Sequence, residues 1–154
     1  MNIDAGFNED FLDMLRALDA AKVDYVVVGA HALAAHGVPR ATGDLDILIR
    51  ASPQNALNVL KALRAFGAPL DEHSIGETDF TKPDLVYQIG LPPRRIDLLT
   101  GISGVAFDDA LRTALFVDLA GMNVPFLGRE ALLANKRAAG RDKDLLDVKL
   151  LERK

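Results

Sequence analysis

Cysteine is absent from the 154 residues. That excludes disulfides and every thiolate-ligated metal site, and it is compatible with a reducing compartment, so a cytoplasmic location is expected. No apolar run reaches the roughly 18 residues of a membrane span. The acidic start, MNIDAGFNEDF, lacks the basic and apolar pattern of a secretory leader. There is no surplus of basic residues either: 18 Lys and Arg stand against 22 Asp and Glu, a net charge of −4. This balance argues against a broad, sequence-independent nucleic-acid surface, though not against a local basic patch. Internal repeats, low-complexity tracts and linkers are missing as well. The length fits one domain over residues 1–154, which would bury about 70% of the surface its unfolded chain exposes. With 49% hydrophobic residues, the chain reads as an ordered globule.

What is there is a regular alternation of helical and extended patterns. Asn8 to Ala21 carries apolar residues at helical spacing behind a plausible Asn8 cap. Val26–Val28 is a β-branched run suited to a strand buried on both faces. Ser52-Pro53 opens a helix that Gly67 ends. Residues 67–83 read as a long polar loop with one short strand. Asp84–Ile89 and Arg95–Leu99 read as consecutive strands, and Asp108 to Ala114 as a short helix. Phe116–Leu119 and Asn123–Leu127 form a hairpin around Gly121. Two helices follow, Arg129 to Ala139 and Arg141 to Leu151, separated by Gly140. His31 and His36 read as packed or capping residues, not as ligands.

The chemistry concentrates in YVVVGAHALAAHGVPRATGDLDILI, residues 25–49. After the apolar run, Gly29 lets the backbone approach a ligand closely. The short helix from Ala30 offers its first amides at the same point, where they favour a phosphate. Arg40 and Thr42 lead into a second apolar run carrying Asp44 and Asp46. Residues two apart on a strand share a face, so both carboxylates point one way while Leu45 and Ile47 point into a core. Two adjacent like charges call for a cation between them, and Mg²⁺, with Mn²⁺ as the alternative, takes oxygen ligands. Arg40 is placed to pair with Asp44 or to reach a phosphate. A further acid, Asp97, interrupts an apolar strand. Burying it alone would cost about several kcal/mol, so it needs a partner: Arg94, Arg95, Arg40 or a metal ion. The tail gathers Lys136, Arg137, Arg141 and Lys143. Most of these suit a solvated helix face with local ion pairs such as Lys143–Asp147.

The order of strand, glycine plus small residue, short helix and Asp-x-Asp resembles the nucleotidyltransferase superfamily typified by DNA polymerase beta. The finer pattern, Gly29-Ala30, His36-Gly37, Arg40, Thr42 and Asp44-x-Asp46, is similar to the small bacterial nucleotidyltransferases related to abortive-infection (toxin–antitoxin) systems. The tail Lys136…Arg141-x-Lys143-Asp144-x-x-Asp147 looks like the C-terminal helices of the same group. Ala30 departs from the Gly or Ser usual in the superfamily: it keeps the amide and lacks a hydroxyl.

The resemblance implies an α+β fold, a small mixed sheet flanked by helices with further helices at the C-terminus. It implies transfer of a nucleoside monophosphate from an NTP such as ATP to a hydroxyl. Asp44, Asp46 and Asp97 would be the catalytic residues and would hold two Mg²⁺ ions. Gly29, Ala30, Arg40, Thr42, Lys136 and Arg141 would bind the nucleotide. The acceptor is open, whether protein, RNA or small molecule, and the toxin–antitoxin resemblance implies a cognate partner protein. The rival reading is a catalytically inactive member of the same fold, acting as an antitoxin-like protein-binding module.

Overall fold

The computed structural model describes residues 6–40 and 43–154. Its elements run α1 (Glu9–Ala20), β1 (Tyr25–Val28), α2 (Gly29–Ala35), β2 (Leu45–Ile49), α3 (Pro53–Phe66), β3 (Val86–Ile89), β4 (Ile96–Leu99), α4 (Phe107–Arg112), β5 (Leu115–Leu119), β6 (Met122–Phe126), α5 (Arg129–Ala139) and α6 (Asp142–Glu152). The strands form one mixed sheet in the order β3-β4-β2-β1-β6-β5. β1 lies antiparallel to β2 and parallel to β6, and β2 lies parallel to β4. β3–β4 and β5–β6 are antiparallel hairpins. This is the expected α+β class, a mixed sheet flanked by helices.

Local chemistry explains most boundaries. The Asn8 side chain accepts from the Phe11 amide at 2.9 Å and starts α1. Ser52 does the same for Asn55 at 3.2 Å, with Pro53 in the first turn of α3. Such caps satisfy amides that have no partner within the helix. Gly67 and Gly140 end α3 and α5 with positive φ, 93° and 68°, a conformation that is inexpensive only without a Cβ.

Two expectations shift. The strand expected from Asp84 begins at Val86, because Asp84 has a φ of 54° and the Leu85 amide bonds to Thr100 Oγ1 at 2.7 Å. The loop at 67–83 contains a single 3₁₀ turn, Asp79–Thr81, and no strand.

Alternation along the strands sorts the side chains onto two faces. Val27, Ile47 and Leu98 pack under α1 and α3, against Phe11, Leu15, Leu60 and Leu63. Val26, Val28 and Leu48 face the other way, against Leu33 of α2, Leu132 and Leu133 of α5, and Val148 and Leu151 of α6. Burying each such side chain contributes about 1.5–3 kcal/mol.

Asn55, 4% exposed, joins the strands at one end. Its Oδ1 accepts from the Asp24 amide at 2.8 Å, and its Nδ2 donates to the carbonyls of Asp24 (3.1 Å) and Arg50 (2.9 Å). These residues flank the Tyr25–Ile49 pair of the β1–β2 ladder.

Candidate active site

At the other end of that ladder, Val28 pairs with Asp46. β1 stops there because Gly29 takes a φ of 69° and begins α2. A Cβ on Gly29 would lie 2.4 Å from Asp46 Oδ2, so the missing side chain is what admits the carboxylate. The parallel β2–β4 register then sets Asp97 directly opposite Asp46. Both lie on the sheet face covered by α2, α5 and α6, since Leu45, Ile47, Ile96 and Leu98 belong to the opposite core.

Asp46 is crowded by charge of its own sign. Its carboxyl is pushed up to about 6, first by burial, then by Asp97 and Asp44, with Arg95 pulling the other way. Asp97 is 6% exposed, and of the arginines weighed as its partner the structure supplies Arg95. Arg95 Nε donates to Asp97 Oδ1 at 2.9 Å and Nη2 to Oδ2 at 3.3 Å. The same Nη2 stands 2.9 Å from Asp44 Oδ2. One guanidinium thus bridges two of the three acids. Among the described residues, no three His, Asp or Glu side chains are grouped as a ready-made metal site. The donors, carboxylate oxygens, are of the right kind for a hard divalent ion. Asp44 would have to be shared with, or released by, Arg95 for that ion to use it.

His31 of α2 backs this arrangement. It is buried, with its ring 4.7 Å from that of Phe7, and it hydrogen-bonds the Asp44 backbone; burial lowers its pKa. His36 follows α2 and makes a 2.8 Å bond through Nε2 to the Leu127 carbonyl. The packing of His31 and the place of His36 at the end of α2 match their sequence context.

Asp46 forms part of the floor of a cleft of about 420 Å³, a size suited to a nucleotide-sized ligand. Gly29 and Ala30 line it from β1–α2, Ile102 and Ser103 from the segment after β4, and Lys136 and Arg141 from the C-terminal helices. Arg40 reaches in from the loop before β2. The structure therefore brings Gly29, Ala30, Arg40, Lys136, Arg141 and Asp46 around one space. Asp44 and Asp97 lie outside its lining, beside Arg95. Thr42 lies outside the described residues.

The basic side chains are held by two carboxylates absent from the predicted site. Asp144 and Asp147 are 1% and 2% exposed. Lys136 Nζ lies 3.4 Å from Asp144 and 3.2 Å from Asp147. Arg141 grips Asp144 through Nε at 2.7 Å and Nη2 at 3.3 Å, and Arg40 pairs with Asp147. Hydrogen bonding from Arg141 is the main influence holding the Asp144 pKa down, while burial depresses that of Lys136. The expected Lys143–Asp147 pair gives way to these contacts: Asp147 faces inward, where Arg40 and Lys136 take it, and Lys143 stays exposed at the cleft. The helical spacing of Asp144 and Asp147 was a usable signal, because i and i+3 share a face.

A mixed sheet with an Asp-x-Asp strand beside a glycine turn, covered by C-terminal helices that bring Lys136 and Arg141 to the cleft, defines a nucleotidyltransferase-type fold. The chain belongs to the family described as nucleotidyl transferase of unknown function (DUF2204), whose model matches residues 7–154. Two solved structures share the fold. One is a Thermotoga maritima protein, TM1012, provisionally named a nucleotidyltransferase, at 18% identity, 96% coverage of both chains and a TM-score of 0.56. The other is the lincosamide antibiotic adenylyltransferase LnuA bound to lincomycin, at 15% identity, covering 95% of this chain and 96% of that one, with a TM-score of 0.57. No curated protein matches the sequence. Among the described residues, no helix is long and apolar enough to cross a membrane.

Proposed function

We propose that the chain transfers a nucleoside monophosphate from an NTP to a hydroxyl acceptor in a divalent-metal-dependent reaction. The observation that carries this is the pairing of Asp46 with Asp97 at the edge of a cleft whose other walls present Arg40, Lys136 and Arg141. The acceptor oxygen attacks the α-phosphorus, the bond to the β-phosphate bridging oxygen breaks, and pyrophosphate leaves. Asp97 is suited to take the hydroxyl proton if the acceptor enters beside it. The amides of Gly29 and Ala30 and the basic trio hold the β- and γ-phosphates in line with the acceptor. Asp46, with Asp44 and Asp97, would hold Mg²⁺ or Mn²⁺, which when bound supplies charge neutralisation at the attacking and leaving oxygens.

The acceptor is the less constrained half. LnuA was solved with an antibiotic, so a small alcohol belongs in any screen beside protein and RNA acceptors. The test is incubation with labelled NTPs, Mg²⁺ and cell extract: label should move from NTP into a second species in the native protein and stay in NTP with Asp46→Asn. Retention of label in NTP by the native protein as well would count against transfer.

The Arg95 bridge supports a second reading, a non-catalytic member whose acids are neutralised internally and whose surface serves a partner protein in a toxin–antitoxin pair. Thermal melting separates the two. Stabilisation that requires both Mg²⁺ and an NTP belongs to the enzyme, and indifference to both belongs to the binding module.

A further inference from the structure

Asp44, Asp46, Asp97 and Arg95 form one charged unit. Among the described residues, Asp44, Asp46 and Asp97 lie together on one sheet face, with the Arg95 guanidinium bridging Asp44 and Asp97. Arg95 lies just before β4, two residues from Asp97, so both side chains leave the backbone on the same side. Its carbonyl accepts from the Leu45 amide at 2.9 Å, which fixes its backbone beside Asp44. The planar fork then reaches Asp97 through two donors and Asp44 through one of the same pair. A lysine ammonium, a compact point charge, lacks this fork.

We propose that Arg95 is a positioning residue that acts as the resident counter-cation of the carboxylate site and competes with the divalent ion for Asp44 and Asp97. The inference rests on the metal-dependent reading above. Arg95 keeps the acids together, at the height where a metal ligand is needed, when the ion is not bound. Because a guanidinium and a divalent ion draw on the same carboxylate oxygens, part of the ion's binding energy is spent on displacing Arg95. Metal affinity is therefore held below what the same acids would give without Arg95. Among the described residues, His31 also contacts the Asp44 backbone, Gly29 turns beside Asp46, and Gln88 stands opposite Asp97 in the β3–β4 register.

The experiment is a Mn²⁺ titration, without nucleotide, of native protein, Arg95→Gln and Arg95→Lys, followed by the electron paramagnetic resonance signal of free Mn²⁺. Melting curves are recorded in chelator and in excess Mn²⁺. Arg95→Gln is expected to bind Mn²⁺ about tenfold more tightly, the scale of a charge-assisted contact at a partly exposed site. It should melt lower than native protein in chelator and recover in excess Mn²⁺. Arg95→Lys should fall between the two in affinity. If both variants bind Mn²⁺ with native or weaker affinity, Arg95 is an ordinary structural ion pair and the proposal is overturned. Should Arg95→Gln fail to fold even with Mn²⁺, Arg95→Lys decides: a rise in affinity upholds the competition and an unchanged value ends it. Native protein that binds no Mn²⁺ at all removes the metal-dependent reading itself, a result distinct from a failure of Arg95 alone.

Discussion

Gly29 and Asp46 occupy mutually dependent space: the point 2.4 Å from the Asp46 Oδ2 that a Cβ at position 29 would fill is kept open by the glycine. The strand pairing of Val28 with Asp46 brings them together, and the φ of 69° at Gly29 turns the chain into α2 just there. Gly29→Ala should therefore act twice. The left-handed backbone costs about 1–2 kcal/mol for an L-residue, and the methyl must push the carboxylate aside. Urea denaturation should show a loss of about 1–3 kcal/mol, and nucleotidyl transfer should fall further than stability does.

Asp46→Asn is expected to abolish metal-dependent transfer while leaving the fold intact, since the amide matches the carboxylate in shape and lacks its charge. Circular dichroism should be unchanged. Unaltered turnover would remove the mechanism.

The raised pKa of Asp46, about 6 against an ordinary 3.8, sets a pH signature for metal-free protein. The folded state holds this proton more tightly than the unfolded chain does. Its contribution to stability is fully present below pH 3.8 and is lost as pH rises through about 6. In chelator, native protein should lose stability between about pH 4 and pH 6 relative to Asp46→Asn. The variant should melt higher at pH 7, and the gap should close near pH 3.5. A melting difference that is flat across this range would show that Asp46 ionises without penalty.

Lys136→Met removes the cation that Asp144 and Asp147 share. Arg141 remains for Asp144 and Arg40 for Asp147, so the loss should be smaller than for an isolated buried pair, about 1–3 kcal/mol. Isothermal titration should also show NTP affinity reduced about tenfold or more if Lys136 meets the phosphates. Full retention of affinity would confine Lys136 to a structural role.

The elements were legible because their signals are local. The Val26–Val28 run, the Ser52-Pro53 start and the Gly67 and Gly140 stops each depend on a few neighbouring residues. The alternation around Asp44-x-Asp46 also correctly gave the opposed directions of the acids and of Leu45 and Ile47. Contacts between distant segments were less accessible. Arg40 and Asp147 stand more than a hundred residues apart in the sequence and meet only in the folded chain, where Asp147 of α6 faces Arg40. A rule of helical spacing assigned Asp147 to Lys143 because it could not register which side of α6 faces inward. Arg95 stood among several candidate partners for Asp97, and only the β2–β4 register shows that the same fork also reaches Asp44.

Asn55 makes no contact in the cleft, yet the β1–β2 ladder passes its alignment along. Sliding one strand past the other by a single residue would turn Asp46 toward α1 and α3 and swing Ile47 into the cleft. By clasping Asp24 and Arg50 together, this amide locks the far end of the ladder, about 13 Å of strand away at 3.3 Å per residue. The acid's outward aim is thus secured remotely, from beneath the opposite layer of helices.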